Sequence, residues 1–387
     1  MSRYNIFQKT LSMKSIVFTT ATLLSLTGAG AMAEPVKLNA PNMANHVRQI
    51  SNTPNGDLCI VGQTYDPEGD QRARGKIIMF STAQNKVLWQ QVVEAPDGAQ
   101  DLRFISCRSD GTFTYVAANV DTHSSRTLNQ ALAYVYKFDG AGKVLAKSEV
   151  LTGANNSFVY DVDVDAKGVM VVGMAHDTTG AAEKNAIFFA RFDAALKGSG
   201  MNKLATGAYD WDSTARLANN VVQLAGNFHA ASVPKDDLAD DYAISKIVGG
   251  KYQFSVRPQR MAAYKVVSAI SPGGDVISIG DKDRAGILTA VNPEGKTVDN
   301  IAVKSTLCEI TSLSADGNVV YAVRRACGKS KEAPKLVTID RKTGAESAIA
   351  GVVGEPLFVF PVAKKLYVIS QKGRNSGLLL DTIARGE

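Results

Sequence analysis

From about residue 45 to the C-terminus, apolar and polar positions alternate in short runs that come in groups of four. Ser312 to Gly344 shows one such group. SLSAD and VVYAV flank a turn at Gly317-Asn318, a basic loop follows, and KLVTID then runs into a Lys-Thr-Gly turn. Alternation at period two predicts half-buried strands, and Gly or Asn at the breaks predicts tight hairpins. The first group reads HVRQIS and DLCIVGQTYD around Asn55-Gly56, then a polar loop, KIIMFST, a turn at Gln84-Asn85, and VLWQQVVE. We label the four strands of a group A to D. The A–B turns fall near Gly56, Gly111, Gly168, Asn220, Gly274, Gly317 and Lys365, at intervals of 43 to 57 residues.

Seven four-stranded repeats of this length predict an all-β chain, a seven-bladed β-propeller. The repeats begin near residues 45, 99, 157, 210, 261, 307 and 354, within one domain over 34–387. A single blade cannot bury both of its faces, so Val, Ile, Leu and Phe are expected between neighbouring blades. Repeat three has a degenerate fourth strand near Met201 to Leu204, and repeat seven ends after three strands. PVKLNAPN, before the first repeat, is a spare strand. This N-terminal strand is predicted to close the last blade, which would leave the ring without free edges. A sandwich would not show seven similar turns at this spacing, and a β-helix needs shorter coils. Miscounting one repeat would give six or eight blades.

GDLCIVGQTYD followed by GKIIMFSTAQNKVLWQQ resembles the repeats of exported bacterial β-propellers, including the pyrroloquinoline-quinone type and related families. KLVTIDRKTG and KFDGAGKVL fit the same pattern of an extended run, Phe or Ile, Asp and a Gly turn. The resemblance is one of architecture and covers the whole chain after residue 33. Quinone-binding propellers carry a Gly-to-Trp spacing in most blades, whereas Trp89 stands alone here and the preceding Gly is absent. The resemblance therefore implies no cofactor.

The N-terminus changes the picture of compartment. Arg3, Lys9 and Lys14 precede an apolar stretch from Ile16 to about Leu26, and Ala31-Met32-Ala33 has the small-x-small pattern of a cleavage site. Residues 1–33 read as a signal peptide, cleaved after Ala33 to give a periplasmic chain with no transmembrane segment. Its removal takes away three basic and no acidic side chains, so the net charge falls from +6 to +3. Lys and Arg are scattered along the sequence, and this balance argues against nucleic acid as a partner. Four cysteines in an exported chain suggest two disulfides. Cys308 and Cys327 are equidistant from the Gly317-Asn318 turn and so stand opposite each other in a regular hairpin. Cys59 and Cys107 then pair by exclusion, joining repeat one to repeat two.

The strand order places every B–C loop on one rim of the ring, together with the D–A connections. His123, His176 and His229 lie in the B–C loops of three successive repeats and invite a metal or acid–base reading. Surface histidines are the plainer reading. Tyr65, Asp66 and Arg72 in repeat one, Arg126 in repeat two, Asp177 in repeat three and Asp236 in repeat four are expected on the same rim. Trp211, between two aspartates in the D–A connection before repeat four, is the aromatic best placed to stack on a sugar or peptide. Long polar loops are also simply what solvent favours.

Asp161, Asp163 and Asp165 alternate with valines on the innermost strand of repeat three. They fail the calcium-loop pattern, so carboxylates facing a wet channel or bonded to backbone amides are expected, with a divalent cation as the lesser alternative. Gly328-Lys329-Ser330 lacks the upstream glycine of a phosphate loop, and HExxH, GxSxG and paired CxxC are absent. These residues imply a non-catalytic binding or scaffold module that engages an envelope protein or glycan through its B–C rim. The competing expectation is a glycan lyase or hydrolase with histidines and carboxylates dispersed around the mouth.

Overall fold

The computed structural model describes residues 34–385 except 39, 41–42, 44–45, 66–71, 97–98, 123–129, 181–183, 208–212, 227, 229, 232–241, 259–265, 283–284, 304–309, 326–332 and 374–376. These residues form seven antiparallel four-stranded sheets arranged in a ring. The innermost strands are Val47–Asn52, Asp101–Ser109, Asn156–Asp165, Thr214–Ala218, Val267–Ile270, Ile310–Asp316 and Glu355–Val362. Each blade runs outward in sequence order, and all seven A–B turns fall where the alternation breaks. Gly56, Gly111, Gly168, Asn220, Gly274, Gly317 and Ala363 occupy those turns with positive φ, the region that favours glycine and asparagine. The fourth strand of repeat three is longer than its sequence suggests. Gly198–Ala205 is an eight-residue strand, largely exposed, on the outer edge of its blade.

The last blade contains three strands from the C-terminus and one from the start of the described chain. Val36–Lys37 pairs antiparallel with Leu378–Ala384, with Val36 opposite Leu380 and Lys37 opposite Leu379. The Leu38 amide continues this pairing by donating to the Leu378 carbonyl at 2.9 Å. Leu38 itself is fully buried among Met43, Ile50, Leu58, Tyr367 and Leu380, residues of blades one and seven and the segment between. Six further apolar clusters sit between the other neighbouring blades, so each of the seven blade interfaces has its own core. A sheet that hides both faces in this way reads as a nearly continuous apolar run in its central strands. LCIVGQT of blade one and VMVVGMA of blade three are examples, every residue buried.

The Asp-to-Gly pattern of the C–D turns has a local cause. Asp139 Oδ1 accepts the Ala141 and Lys143 amides, and Asp193 Oδ1 accepts those of Ala195 and Lys197. Asn292 and Asp340 form the equivalent turns in blades five and six. Such side chains replace the missing backbone partners of a tight turn. Trp89, alone in its sequence position, lies against the turn glycine of the next blade. A Cβ on Gly142 would come within 2.5 Å of its ring.

Cys59 and Cys107 form a disulfide between the second strand of blade one and the innermost strand of blade two. Cys308 and Cys327 lie outside the described residues. The Ile310–Asp316 and Val319–Arg324 hairpin keeps the expected register from Asp316↔Val319 to Ser312↔Val323, and a bulge between Ile310 and Ser312 then shifts it by one. The Cys59–Cys107 bridge closes a loop of 48 residues. In the chain-entropy account a loop of this length contributes about 4 kcal/mol. The Cys59→Ala/Cys107→Ala double variant should therefore unfold at clearly lower urea concentration, and adding a reductant should not lower its midpoint through this bridge.

Candidate functional site

The innermost strands share a construction that the repeats only hint at. Among the described residues five of the seven carry a bulge at the same height: between Val47 and Gln49, Phe104 and Ser106, Val159 and Asp161, Ile310 and Ser312, and Pro356 and Phe358. A bulge adds one residue and re-aims its neighbours. The residue after the bulge in one blade accepts a backbone amide from the next. Gln49 Oε1 takes the Cys107 amide at 3.0 Å, and Ser106 Oγ takes the Val162 amide at 3.3 Å. Asp161 Oδ2 takes the Leu217 amide at 2.7 Å, and Ser312 Oγ takes the Val359 amide at 3.2 Å. In blade seven the position holds Phe358, which cannot accept, and there the ring is closed by the N-terminal strand.

Asp161 is the most heavily used of these acceptors. Its side chain is completely buried, and besides Leu217 it accepts from Ser106 Oγ, from Arg108 Nη2 at 3.2 Å and from Gln49 Nε2 at 3.3 Å. It therefore joins blades one to four. Asp163 accepts the Asn219 amide at 3.0 Å, and burial is the largest influence on its carboxyl, pushing the pKa up. Asp165 turns to Arg191 within its own blade. The three carboxylates thus serve backbone amides, two arginines and the side chains of Ser106 and Gln49. Among the described residues no group of three or more His, Cys, Asp or Glu side chains is placed to hold a metal ion.

These stitched strands enclose a cavity of about 990 Å³ on the axis. It extends from the first residues of the innermost strands, such as Arg48, Arg103 and Asn156, to their last, such as Asn52, Ala315 and Pro361. The wall is divided chemically. Among the described residues, blades one, two and four contribute Arg48, Arg103, Arg108 and Arg216, with Asp121 of blade two the one carboxylate, whereas blades five to seven contribute apolar and small hydroxyl residues and no charged one. Four of the five residues at the bulges, Arg48, Ile105, Tyr160 and Thr311, are among those lining it.

The arginines are differently compensated. Arg108 is paired with Asp161, and Arg103 lies 3.3 Å from Asp101 in a more exposed setting. Arg216 donates to the Ser271 carbonyl and has no carboxylate within ion-pair distance among the described residues. Burial, and then the Arg108 charge, hold its pKa below the ordinary arginine value. His46, on the segment leading into blade one, lies edge-on to the Tyr65 ring with centroids 4.9 Å apart. Its pKa is lowered from 6.5 by burial first and then by Arg48 and Arg103. An unfolded chain therefore binds a proton here more readily than the folded one, and stability should fall as pH drops through 6.5. Urea titrations at neutral and mildly acidic pH should show that slope reduced in His46→Gln.

The residues expected at the rim separate into two groups. Tyr65 ends the second strand of blade one, and its hydroxyl accepts from Gln63 Nε2 at 2.6 Å. Arg72 is exposed at the entrance to the third strand. His176 is 7% exposed, lines the cavity, and shares a 2.7 Å hydrogen bond between its Nδ1 and Asn185 Oδ1. Asp177 accepts the Thr179 amide and hydroxyl, which hold its carboxyl below the usual range. Asp66, His123, Arg126, Trp211, His229 and Asp236 lie outside the described residues. The four cavity arginines are not singled out by any motif or repeat position in the sequence. Their signal was an arginine inside the apolar alternation of VRQIS, LRFISCRS and ARLA, all innermost strands.

No family model matches the chain, and no curated protein matches it. Virginiamycin B lyase from Staphylococcus aureus, solved with quinupristin, is similar over 90% of this chain and 98% of its own, at 9% identity and a TM-score of 0.52. The β-propeller domain of the Trilobed protease from Pyrococcus furiosus matches over 88% of this chain and 95% of its own, at 9% identity and a TM-score of 0.49. Pyrococcus horikoshii acylaminoacyl peptidase matches over the same 88%, which spans 52% of that protein, at 11% identity and a TM-score of 0.48. The likeness to the lyase is one of fold, and fold does not carry function.

Proposed function

We propose that this chain is an exported, non-catalytic binding module of the periplasm, engaging an envelope protein or glycan through the rim where its B–C connections emerge. The observation that carries the reading is the axial cavity, built by innermost strands whose order is fixed by inter-blade hydrogen bonds. A rigid ring with a lined opening suits recognition. Export is supported by the N-terminal pattern and by the Cys59–Cys107 bridge. Sequencing the N-terminus of the protein recovered from a periplasmic fraction should give Glu34 as the first residue. Shortening the B–C loops of repeats one to four should abolish capture of a cross-linked envelope partner, and unchanged capture would count against this rim.

One observation favours an enzyme as the second reading: the His176 imidazole lines the cavity. A lyase or hydrolase acting on an envelope glycan would use that ring for proton transfer. Turnover across a glycan panel that disappears in His176→Ala, with the fold intact, would replace the binding reading by this one.

A further inference from the structure

The two halves of the cavity wall differ in the chemistry they offer. Arg103 and Arg216 present guanidinium groups that the surrounding carboxylates do not fully occupy. Arg103 Nε, Ser213 Oγ and Thr311 Oγ1 line the cavity or its edge and have no hydrogen-bond partner among the described residues. Across the axis, Ile270, Leu313, Phe358 and Phe360 supply apolar surface, with no charged side chain beside them among the described lining residues. A guanidinium in a partly desolvated channel favours a planar or tetrahedral oxyanion, which accepts two of its hydrogens at once. Aromatic and branched side chains opposite favour an apolar body. The cavity lies at the upper end of the size range for small-molecule sites.

We infer that the axial cavity binds an amphipathic organic anion, its carboxylate or phosphate head toward Arg103 and Arg216 and its apolar body toward Leu313, Phe358 and Phe360. The inference rests on reading the molecule as a binding module, but it concerns the channel and not the rim loops. Capture of a partner by the rim and occupancy of the channel are therefore separately testable.

Calorimetric titration of the exported chain with phenylbutyrate, phenylbutyl phosphate, phenylbutyramide and phenylbutylammonium tests it directly. At least one of the two anions should bind. The uncharged amide should bind about tenfold more weakly, the loss of one charge-assisted contact, and the ammonium should give no binding heat. The stronger of the two anions identifies the head group. Affinity should fall when salt is raised. Arg103→Gln should weaken anion binding roughly fivefold to tenfold and leave amide binding unchanged. Arg216→Gln should do the same, and because Arg216 also holds the Ser271 carbonyl, the Arg103 variant carries the test if that protein does not fold. Phe360→Ala should weaken acid and amide alike. Equal affinity for anion and amide, or no binding of either anion, would overturn the inference, whatever the loop variants do to partner capture.

Discussion

Asp161→Ala should be among the most destabilising single substitutions in this protein. The change removes the one carboxylate among the four acceptors that follow the bulges, leaves the Leu217 amide without its acceptor and takes the ion-pair partner from Arg108. Deleting one partner of a fully buried pair costs about 3–5 kcal/mol. Arg108 is partly exposed and keeps the Gln49 and Cys107 acceptors, so the low end, about 3 kcal/mol, is expected, with the stranded Leu217 amide as a main contributor. The cost is raised by Arg216, which feels the repulsion of Arg108 and which the Asp161 carboxylate helps to offset. Scanning calorimetry should show a fall in Tm on the order of 5 °C. Asp161→Asn should recover part of this loss, since one oxygen still accepts. Asp163→Ala supplies the contrast. That carboxylate is only partly buried and serves a turn amide, so its removal should cost about 1 kcal/mol. Equal losses at the two positions would show that the stitch between blades three and four is not specific to Asp161.

Leu38 should be the second sensitive position, for a different reason. Its side chain is completely buried against both blade one and blade seven, on a segment held to the last blade by few backbone hydrogen bonds. Leu38→Ala should cost about 2–5 kcal/mol as a cavity-forming change. Leu38→Asp places a carboxylate where it has no partner and should detach the strand outright. Hydrogen exchange separates these outcomes from general unfolding. Detachment should expose amides of Leu378–Ala384 that face Val36–Lys37, while amides of the central blades keep their protection. Uniform loss of protection would mean that the ring cannot survive open. Unchanged protection in Leu38→Asp would show that this strand does not hold the ring closed.

Alternating hydrophobicity and turn chemistry were enough to count the repeats, place all seven A–B turns and assign the spare N-terminal strand to the last blade. These features are local: a strand shows its two faces at period two, and a tight turn needs Gly, Asn or Asp whatever surrounds it. The assignment of the N-terminal strand to the last blade also followed from a count, because one blade lacked a strand and one strand lacked a blade, whereas its register, Val36 opposite Leu380, came from the structure. The candidate site was less legible. Its arginines are separated by tens of residues and look scattered, yet Arg48, Arg103, Arg108 and Arg216 line one side of one cavity. Asp161 was legible as an inner-strand carboxylate bonded to backbone amides, although its other partners in blades one and two were not.

The sequence by itself determined that this chain is all-β and repeats seven times, because both depend on patterns confined to one strand or one turn, and that its N-terminal strand completes the last blade, because the strands can be counted repeat by repeat. Only the tertiary structure decided which side chains share the axis and which residue of each innermost strand reaches across to the next blade. The reason is geometric. Bulges shift the alternation by one residue, and closing the ring brings together positions about fifty residues apart in the chain. Neither the shift nor the closure leaves a mark on the local pattern of apolar and polar residues.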